Sequence, residues 1–158
     1  MGAGVSALLL ELVADGYQSI DAVDLSAAAL DALRLRLGAA ASAVRFVRAD
    51  IRNVELSEPV DVWHDRATFH FLTEPADQQR YVRRVEASVA PGGHLVIATF
   101  APDGPEQCSG LPVARHSAAA LAALFAEQFE LVESLHQVHV TPWGAPQPFT
   151  HVLMARRS

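Results

Sequence analysis

A regular alternation between helix-like and strand-like segments constrains the fold of this sequence more than any other feature. Stretches with apolar residues at helical spacing alternate with short apolar runs, and most are bounded by a capping or turn residue. Strands separated by helices are expected to run parallel in one sheet with right-handed crossovers. The pattern therefore predicts an α/β protein with a mostly parallel, twisted sheet, in a single domain over residues 1–158.

The expected elements follow from these boundaries. Ser6, Ser26 and Ser117 are placed to cap helices, Pro75 to open one, and Pro91-Gly92-Gly93 to end it. The predicted helices are 6–14, 27–37, 75–89 and 118–129, and the predicted strands are 20–25, 44–49, 60–63, 94–100, 129–140 and 149–156. Residues 101–116 are expected to form a loop, and the last two strands an antiparallel hairpin that closes one edge of the sheet.

Composition narrows the class of protein. Eighteen acidic residues against 12 basic ones give a net charge of −6, which argues against binding to nucleic acid. The single cysteine, Cys108, excludes a disulfide framework and a multi-cysteine zinc site. No apolar run reaches the ~18 residues of a membrane span, and the first residues lack the basic region of a signal peptide. We expect a cytoplasmic protein with no membrane partner.

Glycines and two carboxylates occur at positions that suit an adenosine-bearing ligand. Gly2-Ala3-Gly4 directly precedes a helix, where glycines allow a ligand to approach the backbone and the free N–H groups. Asp24 ends the next strand, where a carboxylate can accept hydrogen bonds from both hydroxyls of a ribose. Asp50-Ile51 ends the following strand and offers an acceptor for an adenine amino group. Each motif also has a simpler interpretation: the glycines as a flexible terminus, Asp24 as a helix cap and Asp50 as a turn residue. Their combination favours an adenosine-bearing ligand.

With these motifs the chain resembles the class I S-adenosylmethionine-dependent methyltransferases. Gly2–Ser6 is similar to their glycine-rich motif, Asp61–Arg66 to the strand and loop of their reacting centre, and Pro91–Gly93 to the turn that follows a helix in that family. The resemblance implies a Rossmann-like three-layer sandwich and S-adenosylmethionine as cofactor, with S-adenosylhomocysteine as product. The cofactor residues it implies are Gly2, Ala3, Gly4, Asp24, Leu25, Asp50, Ile51 and His64.

The sequence also departs from that family. The first central strand, with the acidic residue that binds the methionine end of the cofactor, is missing, and so are the helices that cover the substrate. Without that strand, backbone groups on both of its neighbours would lack partners in the sheet centre. We expect a truncated or misannotated start, or a partner that fills the gap.

Methyl transfer from a sulfonium is an in-line displacement, which requires positioning and the exclusion of water. His64, Asp65 and Arg66 end a strand at the sheet edge where open α/β proteins bind ligands. We predict a base in His64, an orienting carboxylate in Asp65 and a clamp for a substrate carboxylate in Arg66. In the alternative, Asp65 and Arg66 pair with one another and His64 is a pocket-wall residue.

Other reactive side chains have weaker claims. Cys108 is expected to be an inert pocket thiol, and Arg115 and His116 either recognise an acidic group or face solvent. His136 and His139 are three apart on a strand and face opposite sides, so no zinc site is predicted. Trp63 and Phe69 are expected in the core, whereas Phe69-His70-Phe71 could also line the adenine side of the cofactor.

Three functions remain open at this point. The first is methyl transfer to a small molecule, whose identity and acceptor atom the sequence does not specify. The second is a nicotinamide-dinucleotide oxidoreductase, because Gly2, Gly4 and Ala7 also fit G-x-G-x-x-[GA] with Asp24 downstream. The third is a non-catalytic, methyltransferase-like subunit. The short chain leaves no room for the separate substrate domain of the second class.

Overall fold

The computed structural model describes residues 1–4 and 7–158. This part of the chain forms two compact units, Met1–Val54 and Glu55–Ser158. The predicted Ser6 cap lies outside the described residues, and the single domain over the whole chain stays a prediction. Among the described helices, none is long and apolar enough to cross a membrane.

Helices and strands alternate through both units, as the sequence predicts. The helices are α1 (Ala7–Ala14), α2 (Ala27–Leu37), α3 (Pro75–Ser88) and α4 (Ala118–Leu124). The strands are β1 (Ile20–Asp24), β2 (Val44–Arg48), β3 (Val60–Arg66), β4 (Val89–Phe100), β5 (Gln107–Cys108), β6 (Leu111–Pro112), β7 (Phe129–Val140) and β8 (Pro146–Arg156).

The first unit is a parallel pair of strands with two helices. β1 and β2 run parallel in a register that places Asp24 beside Arg48, so their carboxyl ends lie at one edge. The predicted cap of α2 is confirmed, because the Ser26 hydroxyl accepts a hydrogen bond from the Ala29 amide at 3.2 Å. α2 ends at Gly38, whose positive φ of 55° suits glycine. The buried core of this unit comprises Leu9, Ala22, Leu30, Leu33, Leu37 and Val44.

The second unit is built on a four-stranded sheet in the order β3-β4-β8-β7. β3 and β4 are parallel, whereas β8 runs antiparallel to both β4 and β7. The predicted terminal hairpin at one edge of the sheet is therefore confirmed, and β4 lies in the sheet interior between β3 and β8. The side chains of one sheet face pack against α3 and α4, and we call the opposite face the open face.

The core of the second unit is aromatic where the sheet meets α3. Trp63 and Phe69 are buried, as predicted, and each contacts the ring of Tyr81 on α3. The other large buried side chains of this core include Leu95, Ile97, Val152 and Met154 on the covered face of the sheet and Leu121 on α4.

Several boundaries differ from the sequence prediction. β3 is longer than expected and continues to Arg66, so His64, Asp65 and Arg66 are part of the strand. Pro91-Gly92-Gly93 is predicted to end α3, but α3 ends at Ser88 and these residues lie inside β4. They fall where the pairing of β3 with β4 shifts from Val60–Val89 to Val62–His94. Gly93 is required there, because a Cβ would lie 2.8 Å from the Asp61 carbonyl oxygen.

The remaining differences concern α4, β8 and the loop before α4. α4 ends at Leu124, short of the predicted 129, and the capping residue Phe125 has a non-helical φ of −104° and a fully buried ring. β8 begins at Pro146 and not at 149. The predicted loop over 101–116 contains a small hairpin, β5–β6, which turns at Ser109 and Gly110 with φ of 52° and 78°.

Candidate functional site

The glycine turn at the start of the chain is tied to the end of β1. The Ala3 amide donates to the Val23 carbonyl at 3.0 Å, and the Gly4 amide donates to Asp24 Oδ2 at 2.8 Å. Gly2 and Gly4 have φ of 59° and 49°, in the left-handed region that favours glycine. The glycine turn and Asp24 are therefore in direct contact across 20 residues, and their shared role in binding a ligand stays a prediction. Val5 and Ser6 of the glycine-rich motif lie outside the described residues.

Asp24 connects three segments of the first unit. Besides Gly4, its carboxylate accepts a hydrogen bond from the Ser26 amide at 2.8 Å, and its carbonyl accepts one from the Ala49 amide at 3.1 Å. The side chain remains partly exposed. A carboxylate has about four acceptor positions, so two described hydrogen bonds leave capacity for donors on a ligand.

Asp50 follows β2 at the same edge of the first unit. Its carboxylate is held by Arg52, whose Nε lies 3.0 Å from each oxygen and whose amide donates to Oδ1 at 2.8 Å. The Arg52 hydrogen bonds lower the pKa of Asp50 below its usual value. Ile51 is buried, whereas Leu25, next to Asp24, is 64% exposed. The predicted adenine acceptor is thus ionised and already engaged by an arginine.

Asp65 is fully buried in the second unit. Its Oδ2 accepts a hydrogen bond from the Tyr81 hydroxyl at 2.7 Å, and the Trp63 indole N–H donates to the same Tyr81 oxygen at 2.9 Å. Burial raises the pKa of the Asp65 carboxyl, although these hydrogen bonds oppose the shift. This chain of polar groups links β3 to α3 through the core.

Asp65 also shapes the turn that follows β3. Its Oδ1 accepts hydrogen bonds from the amides of Thr68 and Phe69 at 3.0 and 3.2 Å. The turn requires Ala67 to adopt a φ of 62°, which is unfavourable for a residue with a Cβ. The guanidinium of Arg66, by contrast, lies 5.0 Å from the ring centroid of Phe149. Asp65 is therefore positioned to order the turn, and its catalytic assignment stays a prediction.

His64, Arg66 and His151 share the open face of the sheet. Arg66 and His151 flank Ala98 on β4 from either side, and His64 lies beside Val96. Burial lowers the pKa of His64 to about 4, and the charge of Arg66 adds to the effect. The pKa of His151 is lowered by the same two causes. At neutral pH this cluster presents neutral imidazoles beside one cationic guanidinium.

His70 and His116 lie inside the second unit. His70 has no exposed surface, and its ring packs 4.8 Å from that of Phe100. Within the described part of the chain, neither ring nitrogen of His70 has a hydrogen-bond partner. Burial lowers its pKa to about 4. His116 is buried against Phe69 and does not face solvent, whereas its recognition of an acidic group stays a prediction.

The other candidate side chains have local partners. Arg115 donates to the Gly104 carbonyl and to the Glu106 carboxylate, each at 3.1 Å. Cys108 is a free thiol packed beside the buried cluster of Ala98, Phe100 and Phe149. His136 pairs with Asp103. Over residues 1–4 and 7–158, no group of three or more His, Cys, Asp or Glu is arranged to hold a metal ion.

Two residues of this site escaped the sequence prediction. Helical spacing in α3 indicates that Tyr81 is buried, but nothing in the sequence indicates which carboxylate it contacts. His151 lies in a predicted strand, and its place beside Arg66 depends on the antiparallel register of β8, which spacing alone does not fix.

Comparison with known proteins gives consistent matches. A family model described as a methyltransferase domain matches residues 1–93. Carboxy-S-adenosyl-L-methionine synthase of Photobacterium profundum is 33% identical over 100 residues, which are 62% of this chain and 40% of that protein. The chain thus spans well under half the length of this curated relative.

Solved structures match nearly the whole chain. The N-methyltransferase NodS from Bradyrhizobium japonicum WM9 has a TM-score of 0.81 at 15% identity, over 99% of this chain and 83% of NodS. The 1,6-didemethyltoxoflavin-N1-methyltransferase of Burkholderia thailandensis has a TM-score of 0.77 at 23% identity, over 99% and 69% of the two chains. At these identities the matches establish a shared fold, the mixed α/β, Rossmann-like fold predicted from the sequence.

Proposed function

This chain belongs to the methyltransferase domain family, and from that premise we infer that it transfers the methyl group of S-adenosylmethionine to a small-molecule acceptor. The observation that carries the proposal is the hydrogen bond from the Gly4 amide to the Asp24 carboxylate at 2.8 Å. It joins the glycine turn to an acidic strand end, the arrangement that a nucleoside ligand requires.

Asp24 is the residue we assign to the cofactor ribose. Its oxygens are fixed by the Gly4 and Ser26 amides, so the carboxylate is already oriented before a ligand arrives. The remaining lone pairs can accept hydrogen bonds from the two ribose hydroxyls. The turn at Gly2, Ala3 and Gly4 then offers backbone without bulky side chains to the same ligand.

Asp50, Ile51 and Leu25 are the residues we assign to the adenine ring. The Asp50 carboxylate, which Arg52 keeps ionised, accepts from the exocyclic amino group, and the Ile51 amide donates to a ring nitrogen. The exposed side chain of Leu25 supplies apolar surface that a purine face can cover. Arg52 must then share the Asp50 carboxylate with the ring, for which the oxygens have spare acceptor positions.

His64 and Arg66 are the side chains we assign to the acceptor molecule. When bound, S-adenosylmethionine would supply an electrophilic methyl group, with in-line attack by the acceptor breaking the C–S bond and releasing S-adenosylhomocysteine as the neutral thioether. Arg66 is an exposed cation that can hold a carboxylate or oxyanion of the acceptor. His64 is neutral at pH 7, because its pKa is about 4, and it accepts a hydrogen bond from a protonated nucleophile.

Asp65 acts in this proposal as a positioning residue. Both its oxygens are used by Tyr81, Thr68 and Phe69, and burial isolates it from solvent. It fixes the turn after β3 and thereby the end of the strand that carries His64 and Arg66. The catalytic role predicted for it from the sequence is replaced, in the proposal, by this indirect one.

Calorimetry with three ligands tests the proposal. We expect S-adenosylmethionine and S-adenosylhomocysteine to bind, and NAD to show no measurable heat at the same concentration. Tight binding of NAD alone would support the oxidoreductase alternative. Binding of S-adenosylmethionine without methyl transfer to any member of a panel of oxygen, nitrogen, sulfur and carbon acceptors would favour the non-catalytic subunit.

A further inference from the structure

The outer edge of β7 is the largest unpartnered feature of the second unit. β7 is the terminal strand of the four-stranded sheet, with β8 along its inner edge. Among the described residues, no strand pairs with the outer edge. Its free amides and carbonyls form a template for another strand, and many proteins protect such an edge with charged side chains (especially lysine), proline, bulges or a short length. β7 has 12 residues and contains neither Lys nor Pro.

Apolar side chains are exposed along this strand. Val132, Leu135 and Val140 are 56%, 54% and 60% exposed, and Leu131 and Val138 are also exposed. Every residue of β7 after Phe129 is exposed, so these apolar side chains contact water when the strand has no partner. The combination of a long free edge with exposed apolar groups fits a partner strand.

The polar side chains of β7 favour a second copy of the same strand as that partner, because a glutamate carboxylate can accept a hydrogen bond from an imidazole. Glu130 and Glu133 lie in its first half, whereas His136 and His139 lie in its second half. Antiparallel pairing of two copies places the acidic half of each strand beside the histidine half of the other. Parallel pairing would instead place glutamates beside glutamates, which is unfavourable.

The pairing of β7 with β8 fixes which side chains share a face. Between Leu131 and Glu133 the register shifts by one residue, so Val132 is the extra residue of a bulge. As a result, Glu130, Glu133, Leu135, Gln137 and His139 all lie on the open face, opposite alternate residues of β8. Leu131 and Val138 lie together on the other face.

We propose that the chain forms a two-fold symmetric dimer in which β7 pairs antiparallel with β7 of a second copy, centred on Leu135. In this register each Leu135 faces its counterpart, Leu131 faces Val138, and Glu130 faces His139. With the Val132 bulge kept in both strands, the two members of each pair lie on the same face of the sheet. The register uses the whole strand from Phe129, opposite Val140, and joins two four-stranded sheets into one.

Sedimentation equilibrium of the full chain tests for the dimer. We expect a concentration-dependent mass that approaches twice the 17.0 kDa of one chain. Leu135→Lys places two ammonium groups together on the symmetry axis and should raise the dimer dissociation constant about tenfold or more. Leu35→Lys is the matched control, because it makes the same substitution at a leucine that is 83% exposed on a helix, α2. A wild-type monomer at every concentration, or Leu135→Lys that dimerises as wild type does, would overturn the proposal.

A charge exchange tests the register and does not depend on Leu135. Glu130→Arg places arginine beside His139 and should weaken the dimer, as should His139→Glu, which places it beside Glu130. The double variant Glu130→Arg/His139→Glu creates an opposite-charge pair twice per dimer and should recover at least part of the lost affinity. A double variant no tighter than the weaker single variant would overturn this register.

Discussion

Tyr81 donates its hydroxyl proton to the carboxylate of Asp65 at 2.7 Å, and neither side chain is exposed to solvent. The same Tyr81 oxygen accepts the indole N–H of Trp63. The Tyr81 hydroxyl on α3 thus provides a hydrogen-bond partner for the buried Asp65 carboxylate and for the buried Trp63 N–H, both of which lie on β3. Tyr81 and Asp65 are 16 residues apart in the chain.

Removing that hydroxyl is the first prediction. Tyr81→Phe keeps the ring but leaves the Asp65 oxygen and the Trp63 N–H without this partner, so we expect the free energy of unfolding to fall by about 1–3 kcal/mol. Urea denaturation measures the change. Tyr17→Phe is the matched control, because Tyr17 is 59% exposed and its loss of a hydroxyl should have little effect. Equal stability of the two variants would contradict the assigned network.

The second prediction concerns the buried imidazole of His70. Its pKa is about 4 in the folded protein and about 6.5 in the unfolded chain, so the unfolded state binds the proton first as pH falls. Stability should therefore decrease between pH 6.5 and 4, and His70→Leu should make that decrease smaller. At pH 7 the variant should be at least as stable as wild type, because it removes two ring nitrogens that lack described partners. An unchanged pH dependence would show that His70 does not contribute to it.

The third prediction tests the irregularity in β4. Gly93→Ala introduces a Cβ 2.8 Å from the Asp61 carbonyl oxygen and equally close to a Val89 methyl group. We expect a larger loss of thermal stability than for Gly110→Ala, where φ is 78° but nothing lies within 4 Å of the new Cβ. A larger loss of thermal stability for Gly110→Ala than for Gly93→Ala would contradict the close approach of β3 to Gly93.

The fourth prediction is the protonation state of His64. We expect its imidazole to remain neutral from pH 8 to about 5 and to titrate near pH 4, because burial and the charge of Arg66 both disfavour the imidazolium. Carbon-detected or proton NMR of the ring measures this directly, with the signal assigned by its absence in His64→Gln. A midpoint at 6.5 or above would contradict the proposed role as a neutral hydrogen-bond acceptor.

Much of the fold was predictable, because local signals and global topology agree in this chain. Ser26 and Ser117 begin helices as capping residues, and the hairpin of β7 and β8 follows from two apolar runs around a proline-rich turn. The predicted ends of helices and strands were wrong where tertiary contacts determine them. The ring of Phe125, the residue after α4, is buried in the core. Gly93 lies inside β4, where the Asp61 carbonyl of β3 would be 2.8 Å from a Cβ.

The contacts among the candidate site residues were only partly predictable from the sequence. The spacing of Gly4 and Asp24 indicated a shared ligand, and the two groups are hydrogen bonded. The environment of Asp65 was not predictable, because it depends on Tyr81 from another element and on a turn in which Ala67 has a positive φ. Likewise, no local pattern places His151 beside Arg66; only the register of β8 does.

The central claim is that Asp24 binds the ribose of the cofactor. The most direct test compares how tightly the Asp24→Asn and Asp31→Asn variants bind S-adenosylhomocysteine. Asp31 is a surface carboxylate on α2 that pairs with Arg34, so its variant controls for the loss of one negative charge. We predict that Asp24→Asn raises the dissociation constant about 10- to 100-fold, as expected for the loss of charged hydrogen bonds worth about 1–3 kcal/mol, whereas Asp31→Asn binds as wild type does. Equal affinity of the two variants, measured by calorimetry on folded protein, would contradict the assignment of Asp24 to the ribose and with it the proposed cofactor site.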